Sequence, residues 1–121
     1  MHEIRVSTKR RTQLVEITDL VEQAVDASNG ASAALVYVPH TTAGVTINER
    51  IDPKLVEDGW GWQHVDADGE NAPSHVRASL MSPQVLVPIE GGRLALGTYQ
   101  GIFFCEFDGP RERKVLVTAL A

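Results

Sequence analysis

Residues 85–96 read VLVPIEGGRLAL. A run rich in β-branched residues leads into the turn signal Glu90-Gly91-Gly92, and a second short apolar run follows, which predicts an antiparallel β-hairpin. Two further strand-like segments, residues 100–107 and 114–119, are joined by the turn-forming residues 108–111. We expect these two segments to pair in the same way. The last third of the chain is therefore predicted to consist of antiparallel strands and turns.

The first third of the chain adds more strands. Apolar and polar residues alternate over residues 3–7, and residues 13–17 favour β-structure, so a hairpin is predicted across the basic turn at residues 9–11. Residues 33–38 form a continuous apolar run that ends at a proline. Because one-sided strands alternate, this run predicts a strand covered on both faces.

One helix is predicted early in the chain and two in its middle. The first begins at Thr18 or Asp19, either of which can cap it, and ends at the stop signal of residues 29–30. The residues expected on its inner face are Leu20, Val21, Ala24 and Ala27. Residues 52–53, an Asp-Pro pair, open a second short helix, and residues 72–81 form a third.

These elements define an α+β fold class. Residues 44–48 add another strand, so about seven strands are expected with two or three short helices. Regular alternation of strand and helix is missing, which argues against a doubly wound parallel sheet. The chain has 121 residues, the size of one domain, and shows no linker or repeat. Residues 1–121 are therefore predicted to form a single domain with mostly antiparallel sheets.

The composition argues against several classes of function. Lys and Arg number 11 against 16 Asp and Glu, and the formal net charge of −5 makes nucleic acid a poor partner, because phosphate backbones require a basic face. No apolar run reaches the ~20 residues of a membrane helix, and no apolar signal segment follows Met1, so no membrane association is expected. We expect a soluble cytoplasmic protein. The single Cys105 can form no internal disulfide.

Three histidines border predicted loops. His40 ends an apolar strand, while His64 and His75 flank an acidic stretch, so all three could project into one cleft and hold a divalent metal. Three imidazoles suit zinc, copper, iron or nickel alike, and an open fourth position would leave a bound water for catalysis. Their separations match no compact metal signature. The alternative, separate hydrogen-bonded surface histidines, therefore stays open.

A carboxylate interrupts the apolar strand of residues 102–107. Glu106 shares a strand face with Ile102 and Phe104, where a charge is costly unless it is paired or faces a site. It is either a functional carboxylate or one half of a structural pair with an arginine. The neighbouring Cys105 has apolar flanks and is interpreted as a packed hydrophobic residue rather than a nucleophile.

The segment His40-Thr41-Thr42-Ala43-Gly44 carries two hydroxyls and a glycine where a strand ends. Such a turn offers side-chain donors and backbone N–H groups to an anion, and phosphate is the group that it would suit. The sequence contains no Walker phosphate-binding loop. The predicted anion site therefore rests on this turn and the histidine that opens it.

Several separated segments together resemble one known family. They are residues 40–49 with 52–53, His64, residues 73–75, residues 87–89 with Gly92, residues 97–102, and residues 106–111 with Arg113. In this order and spacing they are similar to the YjbQ-like family, and the resemblance runs from the first strand to the C-terminus. It implies an α+β fold assembled as a homotrimer, with the histidines gathered near subunit boundaries.

The resemblance also implies an activity. Members of the family are described as secondary thiamine-phosphate synthases, which join a pyrimidine diphosphate to a thiazole phosphate and release pyrophosphate. By position, the resemblance implies His40, His64 and His75 as metal ligands, and His40, His75 and Glu106 as catalytic residues. The substrate-binding positions that it implies are Thr41, Thr42, Asn48, Gln100, Arg111 and Arg113. The predicted function is an enzyme acting on small phosphorylated metabolites.

Two alternatives to this metal-assisted enzyme stay open. One is a trimeric module that binds a metal or a small phosphorylated ligand without turnover. The other is metal-free chemistry by a histidine and a carboxylate. The sequence also departs from the family pattern at two places. The segment between residues 53 and 64 is shorter than usual, so one wall of the site is expected to differ, and Tyr99 stands where the family tends to have Trp.

Overall fold

The computed structural model of the chain describes residues 1–26, 30–50 and 81–121, which form eight strands and one helix. In chain order these elements are β1 (His2–Ser7), β2 (Gln13–Glu16), α1 (Thr18–Asp26), β3 (Ala33–Tyr37), β4 (Ala43–Glu49), β5 (Gln84–Glu90), β6 (Arg93–Leu94), β7 (Gln100–Glu106) and β8 (Glu112–Leu120). The helix predicted after residues 52–53 lies outside the described residues, as does the helix predicted over residues 72–81 except for Met81.

The strands form two sheets in which every pairing is antiparallel. The five-stranded sheet has the order β1-β8-β3-β5-β6, and the three-stranded sheet has the order β2-β7-β4. The prediction of a single-domain α+β fold with mostly antiparallel sheets is confirmed. No helix in the described part of the chain is long and apolar enough to span a membrane.

The predicted hairpin of residues 85–96 is present as β5 and β6. Ile89 pairs with Leu94 and Glu90 pairs with Arg93. Between them, Gly91 has a φ of 61° and Gly92 a φ of 78°. Two consecutive residues with positive φ match the twist of the paired strands, and glycine adopts this conformation without steric cost. The strand β6 ends at Leu94, two residues earlier than the sequence indicates.

Two other predicted pairings are wrong. β1 pairs with β8 while β2 pairs with β7, so these strands belong to different sheets and form no hairpin. For the same reason β7 and β8 do not pair with each other, and residues 108–111 connect the two sheets instead of closing a tight turn. Alternation identifies a strand with one buried face, but it does not identify the strand that supplies its hydrogen bonds.

The helix α1 turns a different face inward from the one predicted. Thr18, Val21, Ala24 and Val25 are buried, whereas Leu20 is 42% exposed. Positions 18, 21 and 25 follow the spacing of one helix face, and position 20 is turned about 100° from position 21. The prediction was therefore wrong for Leu20 and omitted Val25, while Ala27 lies outside the described residues.

One hydrophobic cluster joins both sheets and the helix. It includes Val36 and Val117 from the five-stranded sheet, Val45 and Phe104 from the three-stranded sheet, and Val21 from α1. All five side chains are fully withdrawn from water. Burial of such a side chain contributes about 1.5–3 kcal/mol to folding, so this cluster is the main apolar contribution to the stability of the described fold.

Cys105 packs in a second, smaller cluster with Phe107, Leu14 and Met81. The thiol is fully buried, and desolvation raises its pKa to about 12. A thiol that stays protonated is a poor nucleophile. The interpretation of Cys105 as a packed hydrophobic residue is confirmed.

Within residues 1–26, 30–50 and 81–121, the outer face of the five-stranded sheet carries partly exposed apolar side chains. Ala34 and Val36 of β3 are fully buried, but Leu35 is only half-buried and Tyr37 is 40% exposed. The prediction that this strand is covered on both faces is therefore wrong for one chain. The neighbouring Leu86 of β5 is 60% exposed on the same face, because it pairs with Leu35. An apolar surface consequently runs across adjacent strands.

Candidate functional site

A pocket of about 340 Å³ lies where β3 ends and β8 begins. Its described lining consists of Pro39, His40, Thr41, Thr42, Asp108, Arg111 and Arg113. The segment before β4 and the connection after β7 reach the same place because Ala43 pairs with Glu106. The register of the three-stranded sheet therefore brings the turn of residues 40–44, the Thr-Gly turn, together with Arg111 of the β7–β8 connection and Arg113 of β8.

Glu106 and Arg113 form a buried ion pair beneath this pocket. The Arg113 Nε donates to Glu106 Oε1 at 2.8 Å, and Arg113 Nη2 donates to Glu106 Oε2. The side chains are 5% exposed for Arg113 and 0% for Glu106. Two parallel hydrogen bonds from one guanidinium fix its orientation as well as its distance. Of the two sequence interpretations of Glu106, the pair with an arginine is the one observed.

Two more donors complete the surroundings of the Glu106 carboxylate. The Thr8 hydroxyl donates to Oε1 at 2.7 Å, and the backbone N–H of Asp108 donates to Oε2 at 3.0 Å. Each carboxylate oxygen thus accepts two hydrogen bonds, which is close to its full capacity. Glu106 therefore holds Arg113 in place and has little capacity left to accept a proton from a ligand.

Arg113 is also hydrogen-bonded to Thr42 of the Thr-Gly turn. Its Nη2 donates to the Thr42 hydroxyl at 2.8 Å, and the Thr42 carbonyl accepts the backbone N–H of Phe107 at 3.1 Å. Thr42 is 6% exposed. The turn before β4 is therefore fixed to both β8 and the end of β7, which makes this part of the pocket preorganised.

Arg111 is held by the connection that it belongs to. Its Nε donates to the backbone carbonyl of Asp108 at 2.8 Å, and its Nη2 donates to the Asp108 carboxylate at 3.0 Å. The backbone of Arg111 is fixed by Thr8, whose N–H donates to the Arg111 carbonyl and whose hydroxyl accepts the Arg111 N–H, both at 2.9 Å. The side chain itself is 52% exposed and borders the pocket.

His40 accepts a hydrogen bond from the backbone of β8. The N–H of Lys114 donates to His40 Nε2 at 3.0 Å, just beyond the point at which β3 stops pairing with β8. Burial lowers the pKa of His40 below its ordinary value of 6.5, and the charge of Arg113 lowers it further, while the charge of Glu106 opposes this. The imidazole is therefore neutral near pH 7, with the proton on Nδ1.

This hydrogen bond conflicts with the predicted role of His40 as a metal ligand. The Nε2 lone pair is already used by Lys114, and ligation through Nδ1 would put a proton on Nε2 opposite the Lys114 N–H. The arrangement of His40 thus does not fit a metal. His64 and His75 lie outside the described residues, and the described residues contain no group of three or more His, Cys, Asp or Glu side chains suited to a metal.

The predicted substrate-binding residues fall into two places. Thr41, Thr42, Arg111 and Arg113 line the pocket. Asn48 and Gln100 lie at the opposite end of β4 and β7, where Asn48 pairs with Gly101. Asn48 lies five positions along the strand from Ala43, a distance of about 17 Å. The Asn48 side chain accepts the N–H of Glu49, and the Gln100 side chain accepts the N–H of Gly97. These two residues do not border the pocket.

A second pocket of about 300 Å³ lies near that opposite end. It is lined by Glu16, Thr18, Asp19, Leu20 and Arg50. Glu16 is paired with Arg50 at 2.7 Å and also accepts the Thr18 hydroxyl at 2.9 Å. Its described charges are two carboxylates and one guanidinium, so it suits an anion less well than the pocket at His40.

Sequence reasoning missed two residues of the site, Thr8 and Asp108. Asp108 was interpreted as part of a turn and of the segment that resembles the family, but it was assigned no role of its own, although it lies two residues after the charge of Glu106. Thr8 carried no signal, because it is an isolated threonine that follows an alternating strand. Only the pairing of β1 with β8 brings Thr8 next to Arg111.

The fold and the pocket define a class: a single-domain α+β protein with an arginine- and threonine-lined pocket at one end of its antiparallel sheets. The sequence profile of the family described as UPF0047 protein YjbQ-like matches residues 2–121, and the chain belongs to this family. The family resemblance seen in the sequence is confirmed.

Relatives and solved structures agree with this assignment. The chain is 44% identical to a UPF0047 protein of Archaeoglobus fulgidus, covering 98% of this chain and 99% of the relative, and 42% identical to the UPF0047 protein YugU of Bacillus subtilis, covering 91% of each. A crystal structure of a YjbQ/UPF0047 protein from Clostridium acetobutylicum matches with a TM-score of 0.88 and 42% identity over 99% of this chain and 100% of that chain. The hypothetical protein APE1520 of Aeropyrum pernix matches with a TM-score of 0.83 and 39% identity, over 99% and 97% of the two chains.

The Archaeoglobus fulgidus relative contains residues that have no counterpart in this chain. The alignment of the two proteins extends over 128 residues, more than the 121 residues of this chain. The names of these relatives state a family and no substrate.

Proposed function

We propose that this protein binds the phosphoryl group of a small phosphorylated metabolite in the pocket at His40, and that it acts there as a thiamine-phosphate-synthase-like enzyme. The observation that carries the proposal is the convergence of Arg111, Arg113, Thr41 and Thr42 on one pocket. Guanidinium and hydroxyl donors are the groups that proteins use to bind phosphate oxygens.

The size of the pocket supports a small ligand. Its volume of about 340 Å³ is near the lower end of the range for small-molecule sites. Arg113 is preorganised by Glu106 and Thr42, so it loses little side-chain freedom when an anion binds. Arg111 is half-exposed and can approach a ligand from the open side.

The proposed reaction needs charge neutralisation more than a strong base. A pyrimidine diphosphate would be joined to a thiazole phosphate, and pyrophosphate would leave. Arginine side chains aimed at the leaving diphosphate would stabilise its developing charge. Among the described lining residues, His40 is the side chain whose ordinary pKa lies near neutrality, so it is the candidate for proton transfer. Because His40 does not fit a metal as placed, no step is assigned to one.

Binding is tested by calorimetric titration with inorganic pyrophosphate. Arg111→Gln should weaken binding by about tenfold or more, as expected when a charge-assisted hydrogen bond is lost. Arg5→Gln is the matched control, because Arg5 is an exposed arginine of β1 paired with Glu3 at 3.0 Å and lies outside the pocket lining. Equal affinities of the two variants and the wild type would refute the proposed site.

A second candidate function is binding without turnover. It is favoured by one observation: Glu106 and Asp108, the carboxylates that the described part of the chain places at the pocket, are both engaged by arginines. Incubation of the protein with a pyrimidine diphosphate and a thiazole phosphate separates the two candidates. Release of pyrophosphate with formation of thiamine phosphate supports the enzyme. Thermal stabilisation by the same compounds without any product supports the binding module.

We also propose that the chain assembles as a homotrimer. The support is the open apolar face of the five-stranded sheet, where Leu86, Tyr37 and Leu120 are 60%, 40% and 39% exposed. Contiguous exposed apolar side chains mark interaction surfaces. Light scattering should give three times the mass of the chain for the wild type and a lower mass for Leu86→Lys. Gln23→Lys, on the exposed side of α1, is the control that should leave the mass unchanged. A monomeric wild type would contradict this proposal.

A further inference from the structure

The hydrogen bond between Lys114 and His40 determines which nitrogen of the imidazole carries the proton. The donor is a backbone N–H, which has no lone pair and can only donate, and it lies 3.0 Å from His40 Nε2. Nε2 therefore presents its lone pair to Lys114, and the proton of the neutral ring lies on Nδ1. Lys114 belongs to β8, where it pairs with Arg5 of β1, so its N–H cannot turn away to let the ring change its tautomer.

The second ring nitrogen of His40 is a hydrogen-bond donor at the wall of the pocket. His40 lines the pocket and is half-buried. Its Nε2 is engaged by β8, and within residues 1–26, 30–50 and 81–121 no group accepts the proton of Nδ1. An N–H at the wall of a pocket bonds either to water or to an acceptor atom of a ligand. The Nδ1 proton is therefore placed to bind a ligand oxygen.

The same hydrogen bond restricts what His40 can do in the proposed reaction. A general base needs a free lone pair, and the one lone pair of the neutral ring that could accept a proton is engaged by Lys114. A proton added to Nε2 would face the Lys114 N–H and would bring a second positive charge to a pocket that Arg113 already lines. The candidate role of His40 narrows from proton transfer to hydrogen-bond donation. A neutral imidazole can stabilise negative charge on a substrate oxygen in this way.

We propose that His40 binds the ligand as a neutral imidazole that donates from Nδ1 to a phosphoryl oxygen while Nε2 stays bound to the backbone of β8. This inference rests on the proposed phosphate site and deepens it. The backbone N–H of Lys114 is then a positioning group, because it selects the tautomer that can donate. The arrangement also contributes to specificity. An oxygen with free lone pairs is accepted beside Nδ1, whereas a group that can only donate, such as an ammonium, is rejected there.

Two substitutions of His40 separate the roles of its ring nitrogens. In His40→Asn the side-chain amide nitrogen lies close to the place of Nδ1, so the donor is kept and the acceptor for Lys114 is lost. In His40→Gln the side-chain carbonyl oxygen can reach the place of Nε2, so the acceptor is kept and the donor at Nδ1 is lost. A structural role of the Lys114 hydrogen bond and a ligand-binding role of Nδ1 therefore predict opposite orders of affinity.

Calorimetric titration with inorganic pyrophosphate at about pH 8, where an unperturbed histidine is neutral, measures these affinities. His40→Gln should bind pyrophosphate about tenfold more weakly than the wild type, equivalent to ~1.4 kcal/mol, because a hydrogen bond to a charged acceptor is lost. His40→Asn should recover part of this loss and bind at least about threefold more tightly than His40→Gln.

His2→Gln is the matched control. It makes the same exchange at an exposed histidine of β1 that does not line the pocket. The affinity for pyrophosphate should stay within about twofold of the wild type, because exposed groups outside the site contribute little to binding. This control separates the loss of the Nδ1 donor from a general effect of replacing a histidine.

Nitrogen NMR of the isotopically labelled protein gives a readout that a merely structural role would not change. The His40 signals are those that His40→Gln lacks. In the wild type, Nδ1 should carry the proton and Nε2 should carry none, both before and after pyrophosphate is added. The resonance of Nδ1 should shift on binding, because its hydrogen-bond partner changes from water to an anion.

The outcomes distinguish this inference from the proposed function. If the wild type binds pyrophosphate but His40→Gln binds it equally well, or His40→Asn binds it no more tightly than His40→Gln, the inference is overturned and the proposed function stands. A proton on Nε2 in the pyrophosphate complex also overturns the inference. If no form of the protein binds pyrophosphate, the proposed function fails and the inference fails with it. Circular dichroism of each variant confirms that the fold is retained.

Discussion

Glu106 and Arg113 form an ion pair that joins the two sheets of the fold. Glu106 ends β7 in the three-stranded sheet, and Arg113 lies near the start of β8 in the five-stranded sheet. No backbone hydrogen bond links β7 to β8, because they belong to different sheets. The pair is also the base on which the pocket is built, since Arg113 lines that pocket. Structure and proposed function therefore depend on the same two side chains.

Glu106→Gln should lower the free energy of unfolding by about 3 kcal/mol or more, because it leaves the buried charge of Arg113 uncompensated. Urea denaturation measures the change. Glu3→Gln is the control: it breaks the exposed pair of Glu3 and Arg5, which should contribute less than about 1 kcal/mol. A double variant, Glu106→Leu with Arg113→Met, should recover much of the lost stability. Similar losses of unfolding free energy in Glu106→Gln and Glu3→Gln would show that the pair of Glu106 and Arg113 does not hold the two sheets together.

Thr8→Val should destabilise the protein by about 1–3 kcal/mol, because the buried carboxylate of Glu106 and the N–H of Arg111 each lose a hydrogen-bond partner. Valine has nearly the same shape, so packing is preserved. The affinity for pyrophosphate should fall as well, since Thr8 fixes the backbone of Arg111. Thr8→Ser keeps the hydroxyl and should restore both stability and affinity. If Thr8→Val is as stable as the wild type and binds pyrophosphate as tightly, the hydroxyl of Thr8 does not make this contribution.

Local signals in the sequence predicted the strands better than their partners. Residues 3–7 and 13–17 were recognised because alternation and β-propensity are properties of a short segment. Their pairing with β8 and β7 depends on contacts about 90 or more positions away, and the nearby contact of Thr8 with Glu106 likewise spans 98 positions. The hairpin of β5 and β6 was predicted correctly because its two glycines determine the turn directly.

The same distinction applies to the pocket. The Thr-Gly turn and the arginines were identified, the arginines through the family resemblance, and they meet as expected. The sequence did not predict that Thr42 lies at the pocket while Asn48 lies at the far end of β4. The order of residues along one strand does not show which end of that strand reaches the pocket. The contribution of Thr8 could not be predicted, because it arises only when β1 lies beside β8.

Gly109→Ala should destabilise the protein by about 1–3 kcal/mol, the usual effect of forcing an extra methyl group into a packed site. A Cβ at this position would lie 2.1 Å from the carbonyl oxygen of Arg10 and 2.9 Å from Thr8 Oγ1, so the backbone would have to move. Gly97→Ala is the control, because its Cβ would meet only the flexible side chain of Gln100, at 3.3 Å. Urea denaturation of both variants measures the effect. Equal stability of the two variants would show that residues 107–111 can shift to accept the methyl group at little cost in free energy.

His40 should make the stability of the protein depend on pH below its ordinary pKa of 6.5. Burial, and then the charge of Arg113, lower the pKa of His40 in the folded state, so the unfolded chain binds the proton at a higher pH. The free energy of unfolding from this group is therefore fully present above pH 6.5 and falls as the pH drops toward the lowered value.

His40→Gln separates this contribution from those of other titrating groups. The glutamine carbonyl oxygen can still accept the Lys114 N–H, but it does not titrate. Between about pH 7.5 and about pH 5.5, the wild type should lose more stability than His40→Gln in urea denaturation. His2→Gln removes an exposed histidine and should retain the wild-type dependence. If His40→Gln loses as much stability as the wild type, folding does not lower the pKa of His40 and the prediction is wrong.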